Sequence, residues 1–127
     1  MLPAEPDYGR IARVAASSLA LRLGFTFAEV EDLRIAVDET VILLLRPAAA
    51  GEITIEFTVG RRQLHVDVST SGGAGEAIDP GARRRFEEIV GETVDAMVIV
   101  DEPPQVHLGK RYRSAARPAR RAPAPTS

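Results

Sequence analysis

The apolar positions follow helical spacing twice, then alternate twice, then return to helical spacing and end in two short extended runs. From Tyr8 to Leu23 the spacing predicts a helix, with Ile11, Val14, Ala15, Leu19 and Leu23 on its apolar side and Arg10, Arg13 and Ser17 on another. Gly24 is placed to end it, because glycine adopts the left-handed conformation that closes a helix, and Phe25 is placed to pack back on the last turn. Residues 26–46 form the strongest helix pattern. Thr26 and Glu29 have the spacing of a capping box, Val30, Leu33, Val37, Val41 and Leu44 make one stripe, and Pro47 stops it. Ile35, Ala36, Ile42 and Leu43 make the rest of this helix apolar too, the pattern of a covered element. Asp38 and Glu39 nevertheless stand in its middle, and carboxylates on a covered helix need water, a cation, a donor or a chemical role.

Glu52 to Val59 alternates, with Ile53, Ile55, Phe57 and Val59 on one face. After the turn Gly60-Arg61-Arg62-Gln63, Leu64, Val66 and Val68 alternate again, with His65 and Asp67 outward; this is an antiparallel hairpin with one wet face. Residues 69–81 read as a loop, and Asp79-Pro80 opens a third helix on which Phe86, Ile89, Val90, Val94 and Met97 share a face. Val98-Ile99-Val100 and Gln105 to Tyr112 read as a second strand pair around Asp101-Glu102-Pro103-Pro104, with Val106 and Leu108 inward. The fold class is therefore α+β: a two-layer α/β sandwich with an antiparallel-rich four-stranded sheet and three helices on one face.

Charge divides the chain of 127 residues. Residues 110–127 hold six of the sixteen basic residues and no acid, leaving ten basic residues against all eighteen acids in residues 1–109, a balance of −8. Residues 1–112 are expected to form one domain and residues 113–127, with three Pro, five Ala and four Arg, a disordered basic tail. That tail offers charge for non-specific nucleic-acid contact, but no interleaved aromatic for base stacking. Without cysteine there are no disulfides, thiolate sites or cysteine nucleophiles. No apolar run approaches the roughly 20 residues of a membrane span, and residues 1–7 lack the basic and apolar parts of a signal peptide, so the expected location is cytoplasmic. His65 and His107 have no ligand-spaced neighbours, so no metal site is expected there; Ser17 and Ser18 are remote from any base.

Phe25-Thr26-Phe27, followed after three residues by Glu31-Asp32-Leu33-Arg34-Ile35-Ala36-Val37-Asp38-Glu39, resembles a helix of the anti-sigma-factor serine kinases, members of the histidine-kinase-like ATPase (GHKL) superfamily. The first helix, with Arg13, Ser17, Leu19 and Leu23-Gly24-Phe25, fits the same pattern, and the element order matches the family fold over about residues 8–112. The resemblance implies a nucleotide site in which a glutamate orients the attacking group, and Glu39 matches it. Four residues on, the family carries an asparagine that ligands Mg²⁺; here the position is Leu43, which has no oxygen for a hard cation. The family's adenine-reading aspartate also has no counterpart, since Ser69 or Thr70 takes its place and Asp67 falls too early and points outward. Gly72, Gly73 and Gly75 persist from the glycine cluster of that site.

The expectation is a degenerate member: a regulatory protein-binding module with lost or weak ATP binding, no bound cofactor and no kinase activity. The resemblance implies a sigma factor or an anti-sigma antagonist as partner, with Arg10, Arg13 and Ser17 on the partner surface, and makes a homodimer plausible. One alternative is an active ATP- and Mg²⁺-dependent serine/threonine kinase acting on the antagonist, with Glu39 as base. Another is a structural α/β interaction domain whose Asp38-Glu39 pair is merely surface.

Overall fold

A computed structural model of the chain describes residues 2–3, 6–49, 51–72 and 76–112, with residues 2–3 and 6–10 described by backbone alone. The elements run β1 (Leu2–Pro3), α1 (Pro6–Leu23), α2 (Phe27–Leu45), β2 (Glu52–Gly60), β3 (Gln63–Ser71), α3 (Pro80–Val90), β4 (Ala96–Asp101) and β5 (Pro104–Arg111). The strands lie in the order β1-β2-β3-β5-β4, and every neighbouring pair is antiparallel. The four expected strands and three helices are present, and the two residues of β1 add a short fifth strand that pairs Leu2 with Ile53 at the edge. The expected tail, residues 113–127, lies outside the described residues.

Alternation sets the two faces of the sheet. Leu64, Val66, Val68, Val106 and Leu108 are fully or nearly fully buried, and Ile53 joins them from β2. Their neighbours face outward, where His107 and Asp67 meet at 2.7 Å across the β3–β5 ladder.

α2 is the central helix. Its start is a complete capping box: the Glu29 N–H donates to Thr26 Oγ1 and the Thr26 N–H donates to Glu29 Oε1 at 2.8 Å. Val30, Leu33, Val37, Val41 and Leu44 are buried as one stripe, and Ala36, Thr40 and Leu43 widen it. Thr40 satisfies its buried hydroxyl by donating to the Ala36 carbonyl at 2.7 Å. The helix is not covered all round, however: Ile35 and Ile42 are exposed.

α1 turns a different face to α2 than its largest side chains indicate. Ala12, Ala16 and Ala20 are the buried residues, with Leu19 and Leu23 partly buried beside them, whereas Ile11, Val14 and Ala15 are exposed. Alanines four apart form one ridge, and small side chains on it let two helices approach closely. The large apolar residues are therefore displaced outward.

α1 ends in a Schellman motif. The Gly24 N–H donates to the Leu21 carbonyl and the Phe25 N–H to the Ala20 carbonyl at 3.1 Å, with Gly24 at φ 91°. Phe25 is buried and stacks on Tyr112 with ring centroids 4.9 Å apart, which fastens the α1–α2 corner to the end of β5. Because a Cβ is strained at that φ, Gly24→Ala is expected to cost about 1–2 kcal/mol. A urea titration that leaves the midpoint unmoved would remove this requirement.

α3 is shorter than the apolar spacing predicts. It stops at Val90, and Val94 and Met97 lie beyond it. The Thr93 hydroxyl donates to the Val90 carbonyl, and the Asp95 N–H already donates to the Gly109 carbonyl, so the chain has passed into the β4–β5 ladder. Gly91 follows the last helical residue, and glycine has the weakest helix preference after proline.

Candidate functional site

Glu39 and Leu43 are one turn apart on α2 and lie toward the same side of the helix. Glu39 is half-buried. Leu43 is 7% exposed and belongs to the core.

Leu43 also lines a cavity of about 420 Å³, with Ile42, Arg46 and Pro47 of the α2 end on one side and the segment Glu76–Pro80 on the other. Arg46 and Glu76 approach to 3.5 Å between these two walls; both are largely exposed, so water and salt weaken the pair. A second cavity of about 410 Å³ shares Pro47, Glu76 and Ala77 with the first. It extends past Thr70 and Gly72 to the β4–β5 turn at Glu102-Pro103. Together they form a cleft between the C-terminal half of α2, the end of β3 and the start of α3. Glu39, one turn before Leu43 on α2, is not among the described residues that line either cavity.

The sequence-derived residues divide on this cleft. Gly72, at φ 68°, lines it; Gly73 and Gly75 lie outside the described residues. Thr70 lines it as well, but its hydroxyl donates to the Pro104 carbonyl at 2.9 Å and so holds β3 to the start of β5. Asp67 is on the outer face of the sheet with His107. Leu43 presents only hydrocarbon to the cleft, and hard cations take oxygen donors. Among the described residues no group of three or more His, Asp or Glu side chains is placed to hold a metal ion.

The second group of candidates lies on the α1–α2 seam. Arg13 Nη1 donates to Asp38 Oδ1 at 2.8 Å, with about a third of each side chain exposed. That contact gives Asp38 the donor its position demanded. It also separates the acidic pair: Asp38 faces α1, and Glu39 has no hydrogen-bonding or ion-pair partner among the described residues. The Ser17 hydroxyl donates to the Arg13 carbonyl at 3.0 Å and is spent on its own helix. The Arg10 side chain lies outside the described residues. Exposed apolar residues stand near the Arg13–Asp38 pair on both helices. Val14 (58% exposed) follows Arg13, and Ile35 (41%) and Ile42 (47%) stand three residues before and four residues after Asp38 on α2. Ile11 and Leu21 extend the exposed apolar set along α1.

One buried charge escaped the sequence reading. Lys110, counted there with the basic C-terminal run, is 8% exposed. Its ammonium donates to the Thr93 carbonyl at 2.7 Å and stands 3.7 Å from Asp32, so it ties β5 to the turn after α3 and to α2. The β5 alternation that turns Val106 and Leu108 inward carries Lys110 to the same face, and this was the available signal.

No family model matches the chain. Over 75 residues, 56% of its length, it is 39% identical to the serine-protein kinase RsbW of Listeria monocytogenes and, over an equal span, 39% identical to the serine-protein kinase RsbW of Bacillus subtilis. The Bacillus pumilus protein of the same name is 34% identical over 79 residues. The matched segments cover 48%, 47% and 49% of those proteins, so the chain spans about half the length of the curated relatives it matches. With the α+β architecture and the α2 sequence in agreement, the chain is a homologue of the serine-protein kinases named RsbW across the matched half of its length.

Proposed function

We propose that the chain is a regulatory protein-binding module of the anti-sigma type, acting in the cytoplasm on transcription, with its partner held on the α1–α2 face. The observation that carries this reading is the exposed apolar surface of Val14, Ile35 and Ile42 around the Arg13–Asp38 pair. Apolar residues grouped about a polar contact mark protein interaction sites more often than bare surface. The partner is a sigma factor or an anti-sigma antagonist protein, the kind the resemblance implies. Affinity capture from the native cell with the full chain as bait, repeated across a nucleotide titration, tests it. Recovery of a sigma factor or antagonist, with a yield indifferent to nucleotide, is the expected result; recovery of neither rejects the reading.

The same proposal gives the cleft lost or weak ATP binding. Leu43 supports this, because phosphoryl transfer depends on metal-neutralised phosphates and the α2 position for the metal ligand is hydrocarbon. Calorimetry with ATP and Mg²⁺ is expected to show no magnesium-dependent affinity. A micromolar dissociation constant that disappears in Glu39→Ala would overturn the expectation. It would favour the second reading, an active serine/threonine kinase, which rests on Glu39 and on the relatives being named serine-protein kinases.

A further inference from the structure

A cavity of about 880 Å³ lies apart from the cleft beside Leu43. It lies at the other end of α2, where Thr26 and Glu29 line it, about 25 Å from Leu43 along the helix axis. Its cationic wall is made of Arg61 and Arg62 from the β2–β3 turn and Lys110 and Arg111 from the end of β5. The ladder brings these together, because Gln63, directly after the turn, is the register partner of Arg111.

The acids of the same cavity are engaged nearby. Glu29 closes the α2 capping box, Asp32 stands by the Lys110 ammonium, and Asp95 Oδ2 accepts the Arg111 backbone N–H at 2.7 Å. The guanidinium groups of Arg61, Arg62 and Arg111 have no hydrogen-bonding or ion-pair partner among the described residues. Arg62 moreover sits at φ 58°, a left-handed conformation that turns normally give to glycine or asparagine, and its carbonyl is held by the Tyr112 N–H at 3.1 Å. An arginine kept at a strained turn position beside a cavity is the kind of outlier from which a ligand role is argued. Several guanidinium forks converging on one concavity suit an anion with oxygens in several directions.

We infer that this cavity binds a ligand bearing several phosphates, with Arg61, Arg62 and Arg111 as its contacts and the buried Lys110 ammonium as a fixed charge behind them. The site is independent of the cleft beside Leu43 and needs no metal ligand from it. A free polyphosphate and a nucleic-acid backbone present the same chemistry, and the experiment separates them.

Titration calorimetry of the full chain with inorganic tripolyphosphate, without magnesium, is expected to give saturable binding. Replacing an arginine should weaken it about tenfold, the loss of one charge-assisted hydrogen bond. Arg61→Gln and Arg111→Gln serve here, since both side chains are exposed and neither touches the core. Glu39→Ala should leave the affinity unchanged. A duplex DNA whose affinity falls with the same two variants identifies nucleic acid as the source, and no duplex binding identifies a free polyphosphate. Absence of saturation at millimolar tripolyphosphate, equal affinity in the double variant, or citrate binding as tightly as tripolyphosphate would each overturn the inference.

Discussion

Phe86→Ala is expected to remove about 3–5 kcal/mol of stability, the range for emptying a buried aromatic site. Phe86 is 2% exposed and is among the largest fully buried side chains described. Its effect is magnified by where it stands. α3 is polar apart from its inner edge: Arg84, Arg85, Glu87 and Glu88 are exposed, and only Phe86 and Val90 are fully buried. Ile89 is partly buried against the core. Outside the core, α3 is tied by its Thr93 turn to Lys110 and by Arg83 to Asp101 at 2.7 Å, a pair that raises the Arg83 pKa through the hydrogen bond but is too exposed to contribute much. Against the roughly 5–15 kcal/mol by which domains are stable, the substitution leaves a marginal fold. Urea unfolding followed by circular dichroism measures it. A loss below about 1 kcal/mol would mean that the site collapses around the missing ring, contrary to the close packing of protein interiors. Because α3 begins at the wall of the cleft, the variant should also loosen the segment 76–79 facing Leu43.

What could be read from the sequence was what a single periodicity or a single cap determines. Thr26 and Glu29 fix the start of α2 without help from the rest of the chain, and Gly24 with Phe25 fixes the end of α1. The hairpin register follows from alternation, because slipping it by one residue would turn Leu64, Val66 and Val68 to water. The misreadings arise where size and burial part company. On α1 the larger residues Ile11 and Val14 looked like the inner face, while the inner face is the alanine ridge that allows close approach to α2. On α3, Val94 and Met97 kept helical spacing with Val90, yet the ladder bond from Asp95 to Gly109 claimed the backbone first. Two residues were too short to announce β1. In the candidate sites, Glu39, Leu43 and Gly72 could be named in advance because short local motifs carry them, and of these Leu43 and Gly72 line the cleft. The Arg13–Asp38 contact joins residues 25 apart, and no local pattern carries it. The cavity at Arg61, Arg62 and Arg111 likewise exists only once β3 and β5 are paired.

Arg13→Glu is expected to abolish capture of the proposed partner, a sigma factor or antagonist, while lowering the melting temperature by a few degrees. The thermal loss follows from the contact itself. Arg13 is no bystander on the surface; it bridges α1 to Asp38 of α2, and a glutamate there would set two carboxylates against each other in a partly covered seam. Exposed and half-exposed pairs contribute up to about 1 kcal/mol, so the helices should stay packed on the alanine ridge. The loss of partner therefore has two possible origins: a missing contact, or a displaced α1. The reversed pair Arg13→Glu with Asp38→Arg separates them, because it restores opposite charges across the seam while inverting what the outer surface presents between Val14, Ile35 and Ile42. If Arg13 meets the partner directly, the reversed pair recovers the melting temperature to near its starting value and still captures nothing. If it recovers both, Arg13 acts by holding α1 in place, and the recognition must come from the apolar residues around it. Ile35→Ser and Ile42→Ser would then carry the loss, at little cost to the fold, since both side chains are already more than two-fifths exposed.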